Sequence, residues 1–158
     1  MISIQQLELL NTRSDVVIAT RSATMAPSVC WSMGGHVAED RKSATVWTRR
    51  DHASQATADI ASNGWIAAVF TVPFTNFSLQ LKGQDARVRA VDATDAALLE
   101  RHVSNMVREL RLVNVREAFA RAAFDQCPDD LVAIDFTIHS VFEQTPGPRA
   151  GRTVEPSP

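Results

Sequence analysis

The sequence has little cysteine. Cys30 and Cys127 stand far apart in a chain of 158 residues, and neither lies in a Cys-x-x-Cys pair or a Cys/His cluster. That spacing argues against a zinc site. It leaves two free thiols as the expectation for a cytoplasmic protein, with one disulfide as the open alternative. There is no surplus of basic charge either. A net charge of −2 argues against broad binding to nucleic acid or an anionic membrane, which needs clustered Lys and Arg. Local basic spots can still hold a small anion. No apolar run approaches the roughly 20 residues of a membrane helix. The first ten residues carry Gln5, Gln6 and Glu8 without a basic n-region, so no secretory signal is expected. Gly-x-Ser-x-Gly, His-Glu-x-x-His, P-loop and Gly-x-Gly-x-x-Gly patterns are missing, which removes support for hydrolase, zinc-protease and nucleotide-loop readings. His36, His52, His102 and His139 show no metal-ligand spacing, and surface positions are expected for His102 and His139.

What is present fits one globular domain. Hydrophobic residues make up 45% and charged residues 22%, enough for a packed core. The domain is expected over residues 1–144, with a Pro/Gly-rich tail at 145–158 that is extended or disordered. Residues 3–10 place Ile4, Leu7 and Leu10 at helical spacing. The β-branched run at 15–20 reads as a strand, and 26–33 as its partner, ended by Gly34-Gly35 and followed by a polar loop over 36–43. A strand at 44–48 leads into Arg49-Arg50-Asp51 and a small-residue helix through Ser62, capped by Asp51 or Ser54. Residues 65–72 are apolar on both faces, as in a strand covered from two sides. Thr94 is expected to cap a long helix with Leu99, Val103, Met106, Leu110 and Val113 inward and Glu109 among the residues facing water. A shorter helix spans 115–124. A single last strand carries Val132, Ile134, Phe136, Ile138 and Phe142 on one face.

The alternation Phe77, Leu79, Leu81 slips by one residue after Gly83, to Ala86, Val88, Ala90. A one-residue slip reverses the inward face, so a bulge or bend is expected there. Long bent strands are what small barrels need to close. The expected class is therefore α+β, mainly β: an antiparallel barrel with flanking helices, and not a doubly wound parallel sheet.

Two arginines and a hydroxyl at the mouth of a helix suit an anion, because free N–H groups and the helix dipole both favour one there. Arg49 and Arg50 can grip a phosphate, or simply form a solvated turn. Ser54 can be a ligand or a cap, and the Asp51 carboxylate counts against the site. Gln80 and Lys82 share a polar stripe that either lines a ligand groove or faces water. Trp31, Trp47 and Trp65 read as core or interface, and Cys30 as a packed thiol.

Taken in order, Val46-Trp47-Thr48, the polar turn, Ser54-Gln55-Ala56, a helix ending at Asn63, Phe70, and Ser78-Leu79-Gln80-Leu81-Lys82-Gly83 resemble the FMN-binding split barrels of the pyridoxamine 5′-phosphate oxidase-like group. The resemblance covers residues 16–91. It implies an antiparallel split barrel, a homodimer with flavin at its interface, and oxidoreductase activity on a small molecule. It places Trp31, Thr48, Ser54, Gln55, Gln80 and Lys82 against FMN. The family's Ser-Arg-Lys turn falls on Ala53-Ser54-Gln55, which lacks both basic residues. Arg49 and Arg50, in a turn about two residues longer, stand as their replacements. A deazaflavin or haem in place of FMN, or a non-catalytic flavin, haem or pyridoxal-phosphate binder of the same fold, stays open.

Overall fold

A computed structural model describes residues 2–125 and 128–154 of the chain; Cys127 lies outside them. The first helix, α1 (Ile4–Arg13), starts at a reciprocal cap. Ser3 Oγ accepts from the Gln6 N–H at 3.1 Å, and Gln6 Oε1 accepts from the Ser3 N–H at 2.8 Å. Leu7 and Leu10 face the core, while Ile4, expected beside them, is exposed.

Among the described residues nine strand segments follow: β1 (Asp15–Arg21), β2 (Pro27–Ser32), β3 (Gly34–Val37), β4 (Ser43–Arg49), β5 (Ile66–Thr71), β6 (Ser78–Gly83), β7 (Arg87–Ala90), β8 (Leu131–Thr137) and β9 (Ser140–Glu143). They form two antiparallel sheets, ordered β2-β1-β5-β6-β9 and β3-β4-β8-β7. Three ribbons bend from one sheet into the other: β2 into β3, β6 into β7, and β8 into β9. With those bends the pairings close a cycle, so the two sheets are the halves of one split barrel. Its interior is filled by residues such as Val16, Ile18, Val46, Phe70, Leu81 and Ile134.

The bends explain where the sequence pattern holds and where it fails. The slip at Gly83 is the β6–β7 bend. A Cβ on Gly83 would lie 2.7 Å from Phe136 Cδ2 and 2.9 Å from the Thr137 carbonyl, so only glycine lets the two ribbons approach. Asp85 completes the corner, accepting from the Thr137 N–H at 2.9 Å and from its hydroxyl at 2.7 Å. The last strand, expected as one run, breaks in two. The Ile138 N–H bonds the Lys42 carbonyl and the His139 N–H bonds the Lys82 carbonyl, which hands the ladder from one sheet to the other. The phase flips there, so Val141 is buried and Phe142 faces outward. Gly34-Gly35, expected to end a strand, opens β3 instead. The polar loop expected from residue 36 thus begins only after Val37.

Helix α2 (Ser54–Asn63) begins at Ala53 with no side-chain cap. Asp51 is turned to the His52 N–H and Arg49. Helix α3 (Ala93–Leu112) is capped by Asp92, with Asp95 returning the bond, and not by Thr94. It packs Leu99 and Met106 on Met33, Trp47 and Phe124 in a second core outside the barrel. Two of its polar residues go inward against expectation. Glu109 is buried beneath Arg13, whose Nε donates to it at 2.8 Å. His102 is buried against Gly34, a residue whose missing Cβ makes room for the imidazole, 2.6 Å from where that Cβ would sit. Helix α4 (Glu117–Ala123) follows. The stretch after Thr145, expected as extended or disordered tail, turns back over residues 147–151 and pairs with β9. Thr153 bridges Phe142, and the Val154 N–H bonds the Val141 carbonyl. Residues 155–158 lie outside the described residues.

Neither nitrogen of His102 has a hydrogen-bond partner among the described residues. Burial pushes its pKa down to about 4 from 6.5. The unfolded chain therefore takes up this proton first, and stability falls as pH drops from 6.5 towards 4. The loss expected from this group is on the order of 3 kcal/mol. Urea unfolding at pH 7 and pH 4 should show a smaller difference for His102→Leu than for the parent chain; equal differences would contradict this.

Candidate functional site

The end of β4 is fixed by Thr48, which is fully buried. Its hydroxyl donates to the Trp31 carbonyl at 3.3 Å and lies 3.1 Å from Cys30 Sγ, joining β4 to β2 across the barrel corner. Arg49 and Arg50 follow at once. The Arg50 N–H bonds the Asp130 carbonyl at 2.8 Å, and its guanidinium donates to the Leu131 carbonyl at 3.3 Å. Arg49 Nε donates to Asp51 at 3.4 Å. With Asp130 these residues line a cavity of about 320 Å³. The turn thus brings the two predicted arginines to one place, together with two aspartates that balance their formal charge. The bond from Arg49 holds the Asp51 carboxyl below the usual carboxylate range.

Ser54 opens α2 and is exposed. Gln55 is occupied elsewhere, its amide donating to Asp59 Oδ1 at 2.9 Å. Asp59 is buried and also accepts from the Thr20 hydroxyl at 2.8 Å. This bond ties α2, and the turn ahead of it, to β1. Asp59 has no signal in its local sequence: it sits among Ala58, Ile60 and Ala61, and its partner is 39 positions away.

Gln80 and Lys82 stand on the outer face of the first sheet, and strand register gives their neighbours. Gln80 lies in a row with Val69, Val17 and Trp31 on one side and Phe142 on the other. Lys82 lies in the next row, with Ala67, Ala19, Val29 and Ser140. Lys82 Nζ is 4.5 Å from the centre of the Phe142 ring, and Arg21 lies 4.8 Å over Trp65. Arg21, Trp65, Ala67 and Lys82 line a cavity of about 230 Å³. The face is apolar with cations at one end. Val29 is 70% exposed and Trp31 40%. Trp31 Nε1 donates to Asp15 at 2.7 Å, and the ring turns towards Phe124 at 5.4 Å. Trp47, by contrast, is wholly buried, donating to Asp95 at 3.0 Å.

The predicted residues are therefore distributed within one chain. Arg49 and Arg50 share a cavity, Lys82 lines a second and Trp31 a third. Thr48 and Gln55 serve the frame. No group of three or more His, Cys, Asp or Glu suited to a metal ion occurs among the described residues, and no helix there is long and apolar enough to cross a membrane.

The fold is the split barrel of the pyridoxamine 5′-phosphate oxidase-like proteins, in its two-sheet antiparallel form. Group A Streptococcus HupZ superposes with a TM-score of 0.59 at 18% identity, over 96% of this chain and 100% of that one. A candidate pyridoxamine 5′-phosphate oxidase from Lactobacillus delbrueckii gives 0.55 at 15% identity, over 89% and 92% of the two chains. General stress protein 26 from Bacillus anthracis gives 0.51 at 15% identity, over 85% and 86%. No protein-family model matches the sequence, and no curated protein matches it.

The Thr20–Asp59 bond is testable by a double-mutant cycle. Asp59→Ala should cost roughly 2 kcal/mol. Combined with Thr20→Ala, the total should fall about 1 kcal/mol short of additive. Additive costs in urea unfolding would show that the bond does not hold α2 in place.

Proposed function

We propose that the protein is a homodimeric FMN-binding flavoprotein, an oxidoreductase acting on a small molecule. The observation that carries this reading is the convergence of Arg49 and Arg50 on one cavity at the β4–α2 turn, on a split-barrel fold. Two guanidinium groups beside a helix start supply the donors a phosphate monoester needs. Asp51 opposes the ligand, and its exposure leaves it free to swing away and release Arg49. The ring would lie along the apolar row that holds Gln80, with Lys82 beside it. An amide and an ammonium there can hydrogen-bond ring oxygens and nitrogens. When bound, FMN supplies hydride transfer, while the protein orients it and tunes its electronics.

The homodimer rests on the same face. Val29 and Trp31 are large apolar side chains left in water beside Val17, Ala19, Ala67 and Val69, and a second copy is the usual cover for such a surface. The arginine cavity and the Gln80 row are separate in one chain, so a site made from both would combine the turn of one copy with the sheet of another.

A second reading is favoured by Asp51 and Asp130 in the phosphate cavity: a carrier or sensor of the same fold that binds flavin, a deazaflavin, haem or pyridoxal phosphate without turnover. The two readings divide on one experiment. Anaerobic NAD(P)H added to the FMN-loaded protein should bleach the flavin and turn over with an acceptor if the protein is an oxidoreductase; stable colour favours the carrier.

Flavin fluorescence titrations should show FMN binding weakened about tenfold or more by Arg49→Ala with Arg50→Ala. Asp51→Asn should tighten it. Unchanged affinity in the double variant would move the phosphate elsewhere. In sedimentation, the parent chain should run as a dimer and Val29→Glu as a monomer; a monomeric parent would remove the interface.

A further inference from the structure

Helix α4 lies over the Asp15 end of the outer face of the first sheet and leaves a cavity of about 530 Å³ beneath it, within the roughly 300–1,000 Å³ of small-molecule sites. Its walls are Trp31, Met106, Leu110, Phe119, Ala123 and Phe124. Trp31 and Phe124 pack at 53°, offering ring edges and faces of the kind that aromatic ligands fill. Phe119 is 71% exposed at the lip although it lines the cavity, so a ligand that fills the space would also cover it.

The polar groups on the floor come from strand ends and the β5–β6 turn: Asp15, Thr71 and Asn76. Asp15 is the only charged residue lining the cavity among the described residues. Its carboxylate accepts from Trp31 Nε1 at 2.7 Å and from the Val16 backbone N–H. Burial pushes its carboxyl above the usual range even against those bonds. Two donors leave acceptor capacity free on a carboxylate, and the lining supplies no cation.

We propose that this cavity binds a flat aromatic compound carrying an N–H group, which bonds Asp15, and that it rejects anions. This goes beyond the flavin reading and does not depend on it, because a phosphate dianion has no counter-charge here. N-phenylnaphthylamine is a suitable probe. It is neutral, has two ring systems and an N–H, and brightens in apolar sites. Anilinonaphthalene sulfonate has the same skeleton with an added anion. The first dye should bind saturably at one site per chain, and the second about tenfold more weakly. Asp15→Asn keeps an acceptor for Trp31 and removes the charge, so it should bring the two affinities within about threefold. Ala123→Trp, at an exposed position, should fill the mouth and weaken the first dye about tenfold, with far-UV circular dichroism unchanged. Phe119→Ser provides a second variant at the lip if Ala123→Trp fails to fold, and should weaken the same dye. Equal binding of both dyes to the parent chain, or binding of the first that neither α4 variant alters, would overturn the proposal.

Discussion

The contact between Gly83 and the Phe136 ring is the constraint on which the barrel turns. At this point the β6–β7 and β8–β9 ribbons cross closely enough that a methyl group would collide with side chain and backbone alike. The pair of bonds from Asp85 to Thr137 locks the same corner. Because both ribbons bend here, Lys82 near the end of β6 faces outward beside Phe142, and β7 begins in the other sheet with its face reversed. The outer row of Gln80 and the second row of Lys82 are consequences of that crossing.

A second tie fixes the helices to the other sheet. Arg89 of β7 spans Asp95 of α3 and Asp135 of β8. It donates to Asp135 at 2.6 and 3.1 Å and makes a short paired contact with Asp95. Burial pushes the Asp95 carboxyl up, but bonds from Arg89, the Asp92 N–H and Trp47 together bring it below its ordinary range. A buried charge satisfied on every side gives position more than stability. Here it sets the start of α3 against Trp47, at the strand that leads into Arg49 and Arg50. It also sets the direction in which the far end of α3, with α4, covers Asp15.

Much of the fold was legible because alternation and turn residues report local geometry. The slip after Gly83 marked a real corner, and the two-faced apolar pattern of 65–72 marked a strand with core on one side and a wide apolar face on the other. The failures in strand breaks and buried polar residues share a cause. The break in the last strand at Ile138 and the opening of β3 at Gly34 are decided by which sheet supplies the next partner, and no residue nearby encodes that. His102 and Glu109 went inward because glycine at position 34 and Arg13 receive them, both distant in sequence. That Arg49 and Arg50 line one cavity was legible because they are neighbours in the chain. The Asp59 bond to Thr20, and the meeting of Asp15, Trp31 and α4 around one cavity, are products of the barrel closing.

Crystals grown with FMN would give the most direct measurement. Phosphate density within hydrogen-bonding reach of both Arg49 and Arg50, with the ring against the Gln80 row of a second copy, is the expected result. Full FMN occupancy at any other place, or two copies in contact through a different face with the Arg49–Arg50 cavity still holding only Asp51 and Asp130, would contradict the flavin site proposed above.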